Sequence, residues 1–136
     1  MPGTINLKTT GRSEMVDITD MVQRELSRAG TVQGLCTVYV PHTTAGVTIN
    51  EGADPDVCKD ILEKLDEWAP AHGGYRHREG NADSHIKASL MGSSAVVMVE
   101  EGRLLLGTWQ RIFFCEFDGP RSRRVYVRTE PNIFEI

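Results

Sequence analysis

Residues 35–56 read LCTVYVPHTTAGVTINEGADPD, and they hold the change of structure on which the fold turns. LCTVYV is apolar and β-branched, which suits a strand covered on at least one side. Pro41 has no N–H to give a ladder, so pairing loosens there and His42, Thr43 and Thr44 can turn away from the sheet. Residues 47–50 resume a strand, which leaves Asn50 and Glu51 at its far end. Asp54 followed by Pro55 is a helix start, a cap plus a residue whose missing N–H costs nothing in the first turn. A chain that passes from strand to strand to helix within 22 residues is α+β in kind.

Outward from there, Val57, Ile61, Leu65 and Trp68 form one apolar stripe and Pro70 closes the helix. Upstream, residues 5–9 and 14–18 alternate loosely around Gly11 and predict two strands in a hairpin. Thr19 or Asp20 then caps a helix with Val22, Leu26 and Ala29 inward and Gly30 as its stop. Downstream, residues 71–82 lack periodicity and predict a long loop of the kind that carries function. Asp83 or Ser84 caps a short helix through Leu90, ended by Gly92, with its anion-favouring N-terminus beside polar residues. Strands over 95–99 and 103–106 pair through a Glu101-Gly102 turn. A run with Ile112, Phe113 and Phe114 in succession is covered on both faces, and residues 124–128 form the last strand after the turn DGPRS. The expected architecture is one α+β domain over residues 1–136, with mixed, mainly antiparallel sheets, two main helices and one short helix.

Composition narrows the function classes. The chain has 136 residues, 40% of them apolar and 25% charged, with a net charge of −4. That is an ordinary globule with enough length for a core and no general attraction to nucleic acid or an anionic membrane. Three cysteines, Cys36, Cys58 and Cys115, are odd in number and lack CxxC spacing, which argues against a disulfide framework and for a reducing, cytoplasmic compartment. MPGTINLKTTGRSEMV lacks the basic-then-apolar pattern of a signal peptide, and no apolar run approaches the roughly 20 residues of a membrane span.

The densest chemistry lies in HREGNADSHIKASLMG, residues 77–92, and in the His42–Glu51 neighbourhood. His42, His77 and His85 are the candidate ligands for a divalent metal, zinc or magnesium, although their spacing is not that of a local metal motif and the fold must bring them together. Glu51 and Asp83 are candidates to orient those ligands or do acid/base work; Asp54 and Asp83 also serve as ordinary helix caps. Lys87, Ser89, Ser93 and Ser94 offer phosphate contacts, as do Arg121, Arg123 and Arg124 through their guanidinium groups. No GxSxG elbow or P-loop occurs, and the cysteines sit in apolar surroundings that keep a thiol inert.

Three blocks, HTTAGVTINEGADPDV, EGNADSHIKASLMGSS and GRLLLGTWQRIFFCEFDGPRSRRV, together resemble the YjbQ family of small bacterial and archaeal proteins, often labelled secondary thiamine-phosphate synthase. The resemblance implies a compact α+β domain assembled as a homotrimer, and a side activity that joins hydroxymethylpyrimidine diphosphate to thiazole phosphate. It places Thr44, Asn50, Ser89, Gly107, Thr108, Trp109, Gln110 and Glu116 on the family's signature positions, along with the three histidines, Glu51, Asp83 and Lys87. Combined with the chemistry above, the expected site has His42, His77 and His85 on the metal, Glu51, Asp83 and Lys87 as catalytic groups, and Thr44, Asn50, Ser89, Gln110, Arg121 and Arg124 on a small phosphorylated substrate. A metal-dependent hydrolase of a phosphorylated metabolite and a non-catalytic small-molecule-binding trimer stand as alternatives.

Overall fold

A computed structural model describes residues 2–132. In chain order the elements are β1 (Gly3–Lys8), β2 (Glu14–Asp17), α1 (Thr19–Ala29), β3 (Gly34–Tyr39), β4 (Ala45–Glu51), α2 (Pro55–Trp68), α3 (Ala82–Met91), β5 (Ser94–Glu100), β6 (Arg103–Leu104), β7 (Gln110–Glu116) and β8 (Ser122–Pro131). They form a five-stranded sheet in the order β1-β8-β3-β5-β6 and a three-stranded sheet in the order β2-β7-β4. Every described ladder is antiparallel. The α+β class with three helices is as expected.

The strand alternation builds two cores. Cys36 and Val38 of β3, Val97 and Val99 of β5, and Val125 and Val127 of β8 face inward with Val22 and Leu26 of α1. They meet Val47, Ile112 and Phe114 from the smaller sheet. The opposite face of β7 gives Phe113 and Cys115, which join Phe117, Leu65 of α2 and Ala88 of α3 in a second cluster. Each fully buried aliphatic or aromatic side chain contributes roughly 1.5–3 kcal/mol, so β7, buried on both faces, is the strand the molecule is assembled on. Its run of Ile112, Phe113 and Phe114 is covered on both sides as the sequence predicts.

Four expectations are corrected. α3 takes no cap from Asp83 or Ser84, which lie inside its first turn; the cap position is Asn81, with no side-chain cap bond. β1 and β2 are not a hairpin: β1 pairs with β8 and β2 with β7, in different sheets. Gly11 bends the chain from one sheet to the other, and the partners of both strands lie about a hundred residues away. Trp68 is 67% exposed, because the buried side of α2 runs through Cys58, Ile61, Leu62 and Leu65 and on to Ala69, rotated off the stripe through Val57. α1 takes no cap from Thr19 or Asp20; Asp17 accepts instead from the Thr19 amide (3.0 Å) and hydroxyl (2.7 Å). Asp54 caps α2 as predicted, accepting from the Asp56 amide at 2.9 Å, and Gly30 ends α1 in the left-handed region at φ 75°.

The outer face of the larger sheet stays open. Leu35 and Tyr39 on β3 and Val96 and Met98 on β5 are exposed, and Leu35 stands opposite Met98 in the ladder. Among the described residues no helix is long and apolar enough to cross a membrane.

Candidate functional site

Pro41 marks the passage of the chain from the larger sheet to the smaller. The Val40 amide still donates to the Ser93 carbonyl (2.8 Å), and β4 begins at Ala45. Between them the His42 ring turns toward β8, where its Nε2 accepts from the Arg124 amide at 3.0 Å. A proton on Nε2 would break that bond, so the neutral ring carries its hydrogen on Nδ1. Burial, and after it the nearby charge of Arg123, holds the His42 pKa below its ordinary value.

α3 lies across β4. Its C-terminus is sewn to the strand: the Gly92 carbonyl accepts from the Val47 amide at 3.0 Å. Gly46 is needed there, since a Cβ would sit 2.5 Å from that carbonyl. The space between α3 and the residues 42–45 is an open groove of about 520 Å³ lined by His42, Thr43, His85, Ser89 and Ser93, with Ala45, Ala88 and Gly92 between them. Hollows of comparable size along α1 and at the far end of β3 are lined by no histidine. The groove has hydroxyl and imidazole donors and no carboxylate in its lining.

His85 lies between the other two histidines. It shares the groove with His42, and on the loop side its ring meets that of His77 edge to face, centroids 5.2 Å apart at 78°. His77 is exposed and stands 3.6 Å from Glu79. Among the described residues no group of three or more His, Cys, Asp or Glu side chains is placed to hold a metal. His42 and His85 are two donors of the four or more that zinc or magnesium takes. The expected three-imidazole centre of His42, His77 and His85 is therefore not assembled within the described chain.

The expected catalytic carboxylates and lysine lie outside the groove lining. Asp83 and Lys87 are 1% and 2% exposed and pair with each other across one helical turn, Nζ to Oδ2 at 3.1 Å. Asp83 also takes Arg12 (3.1 Å) and Lys87 takes Asp66, so both charges bind α3 to its surroundings. Glu51 sits at the end of β4 away from His42, opposite Gln110 in the ladder. Asn50 Oδ1 accepts from the Glu51 amide at 2.7 Å and Gln110 Oε1 from the Gly107 amide at 2.8 Å. These three residues form a separate neighbourhood.

The remaining substrate candidates divide. Ser89 lines the groove, its hydroxyl donating back to the His85 carbonyl at 2.9 Å. Arg121 is tied to Asp118 at 2.8 and 2.9 Å. The Arg124 guanidinium is exposed and donates to the Tyr126 hydroxyl at 3.2 Å, while its amide holds His42. Thr44 is buried, and its Oγ1 accepts from Arg123 at 2.9 Å.

Arg123 and Glu116 are the residues that sequence reasoning underrated. Arg123 Nε donates to Glu116 Oε1 at 2.8 Å and Nη2 to Oε2, a two-pronged pair with both side chains buried. Thr9 Oγ1 (2.6 Å) and the Asp118 amide (3.0 Å) also donate to Glu116. Burial would raise the Glu116 pKa, but the hydrogen bonds from Arg123, Thr9 and Asp118 outweigh it and hold the carboxyl below its usual value. The signal was strand parity: Arg123 shares its face with Val125 and Val127, and Glu116 with Ile112 and Phe114, all core residues.

The chain matches the family described as UPF0047 protein YjbQ-like over residues 3–131. It is 55% identical over 126 residues to UPF0047 protein YugU of Bacillus subtilis (strain 168), covering 92% of this chain and 96% of that protein. To UPF0047 protein MJ1081 of Methanocaldococcus jannaschii it is 50% identical over 122 residues, 90% and 88% of the two chains. The solved structure of an uncharacterized conserved protein of the yjbq/upf0047 family from Clostridium acetobutylicum matches with a TM-score of 0.92 at 52% identity, over 93% of this chain and 98% of that one. Hypothetical protein APE1520 from Aeropyrum pernix K1 matches with a TM-score of 0.92 at 42% identity, over 97% and 99%.

Proposed function

Because the chain belongs to the UPF0047 YjbQ-like family, we propose that its groove binds a phosphorylated small molecule and supports, as a secondary activity, condensation of the thiamine-phosphate synthase type. In that reaction the methylene C–O bond of hydroxymethylpyrimidine diphosphate breaks, pyrophosphate leaves with the electron pair, and the nitrogen of thiazole phosphate bonds to the freed carbon. The protein's task is to stabilise charge growing on the leaving group. Donors suit that task, and the chemistry requires no strong base.

The observation that carries the proposal is a lining of His42, Thr43, His85, Ser89 and Ser93 without a carboxylate, on a chain whose net charge is −4. Acids are kept out of a groove whose lining holds two imidazoles and three hydroxyls. His42 Nδ1–H and the hydroxyls of Thr43 and Ser93 would donate to diphosphate oxygens, the Ser89 hydroxyl being engaged with the His85 carbonyl. Binding without turnover is the second reading, favoured by the engagement of Asp83 and Lys87 in buried ion pairs.

The test is incubation with both substrates and product analysis. Thiamine phosphate formation, reduced at least tenfold by His42→Gln, is the expected result. Hydrolysis of one substrate alone would replace the condensation with a phosphohydrolase, and diphosphate affinity without product would leave a binding protein. No affinity for either phosphorylated compound overturns the proposal.

Assembly belongs to the same proposal. The exposed strip of Leu35, Tyr39, Val96 and Met98 is apolar surface that a homotrimer would cover. Light scattering at micromolar concentration that reads a single chain mass refutes this. All three cysteines are free thiols, as suits a cytoplasmic location.

A further inference from the structure

We propose that the buried Glu116–Arg123 pair is a positioning element that fixes the tautomer of His42, holding its Nε2 against the Arg124 amide and leaving Nδ1–H for the groove. The inference rests on the groove being the working site. Its geometry is that of two ties side by side between the same pieces of chain. Arg123 Nη2 donates to Thr44 Oγ1 (2.9 Å) and to the Thr44 carbonyl (3.4 Å). One residue on along β8, the Arg124 amide donates to His42, two residues back along the turn. The first tie sets the separation at which the second can form.

Glu116 sets the first tie. Its two oxygens take Nε and Nη2 of Arg123, orienting the planar guanidinium so that Nη2 also reaches Thr44. Thr9 and the Asp118 amide hold the carboxylate in turn, and the Phe117 amide, donating to the Thr44 carbonyl at 3.2 Å, holds the turn from the β7 side. The lining residues of the groove include neither Glu116 nor Arg123. Their effect on it runs through one imidazole: a histidine free to switch tautomer presents a lone pair at Nδ1 for part of the time, whereas one pinned at Nε2 always presents N–H. For a phosphate oxygen only the N–H is useful.

The experiment is long-range 1H–15N correlation on histidine-labelled protein without ligand, with His42 assigned by the signals lost in His42→Gln. The expected wild-type pattern has the proton on Nδ1 at neutral pH. Thr44→Val should convert that pattern to an averaged one while the other histidines keep their shifts, and Thr44→Ser should restore it. Arg123→Lys should give the same loss; if that variant does not fold, the Val and Ser pair decides. A wild-type His42 with its proton on Nε2, or a pattern unchanged in Thr44→Val, overturns the inference. Because the tautomer is read without substrate, the expected pattern combined with no affinity for hydroxymethylpyrimidine diphosphate defeats the functional proposal alone.

Discussion

Replacing Glu116 with Gln leaves the Arg123 guanidinium buried at 7% exposure without a counter-charge, at a site where Glu116 itself is wholly buried. Gln keeps one acceptor oxygen of two. The four donor contacts from Thr9, Arg123 and Asp118 can then no longer all be met, and one amide nitrogen faces another donor. Breaking a buried pair from one side costs about 4 kcal/mol, a large share of the roughly 5–15 kcal/mol that holds a domain folded. Arg123→Met, which strands the carboxylate, should cost a similar amount. The double variant removes both charges, so its cost should be about 5 kcal/mol instead of the sum of about 8, a coupling of about 3 kcal/mol. Urea unfolding followed by far-UV circular dichroism at fixed protein concentration measures all four species; Trp68 and Trp109 are exposed and would report poorly by fluorescence. Additive losses, or single losses below about 1 kcal/mol, would refute the claim that the pair works as a buried unit.

Gly46→Ala should lower stability by about 1–3 kcal/mol and weaken diphosphate binding in calorimetry, since its Cβ meets the Gly92 carbonyl at 2.5 Å and pushes α3 off β4. Trp68→Ser should change the unfolding free energy from urea titration by less than about 0.5 kcal/mol, in contrast to Leu65→Ala, which empties the second core and should cost about 2–5 kcal/mol. His42 and Glu116 both titrate lower in the fold than their ordinary values of 6.5 and 4.5. The unfolded chain therefore binds each proton first, and stability is full above about pH 6.5 and lost as pH falls through each folded pKa. Urea midpoints across pH should be level above neutrality and decline below it, and His42→Gln should remove the upper part of the decline. Tag-free protein purified without added metal should show less than one zinc per chain by elemental analysis, because His42 and His85 alone do not complete a site.

What the sequence made legible was local. The Asp54-Pro55 start of α2, the Gly30 stop of α1, the break at Pro41 and the double burial of Ile112, Phe113 and Phe114 all follow from backbone chemistry and periodicity within a few residues. The partners of β1 and β2 were not legible, because a hairpin and two separate long-range ladders leave the same alternating pattern. Charge misled in one particular way. Lys87 and Asp83 have the composition of an active site and the position of a structural clamp; their i, i+4 spacing allows the pair, whereas the further partners Arg12 and Asp66 come only with the fold. Conversely, Arg123 was grouped with Arg121 and Arg124 as a cluster of cations, although its parity with Val125 already placed it inside. Of the three histidines, the fold gathers His42 and His85 at one groove and leaves His77 against the rim of His85.

β7 gives its even-numbered side chains, Ile112 and Phe114, to one apolar cluster and its odd-numbered ones, Phe113 and Cys115, to the other. The two clusters thus share a single backbone as neighbouring rooms share a party wall. Loosening one cluster removes half of the side-chain packing that seats β7 and so weakens the other cluster's hold on the same strand. Damage under α2 and α3 is for that reason felt beneath the larger sheet, and heat should take the whole molecule apart in one step.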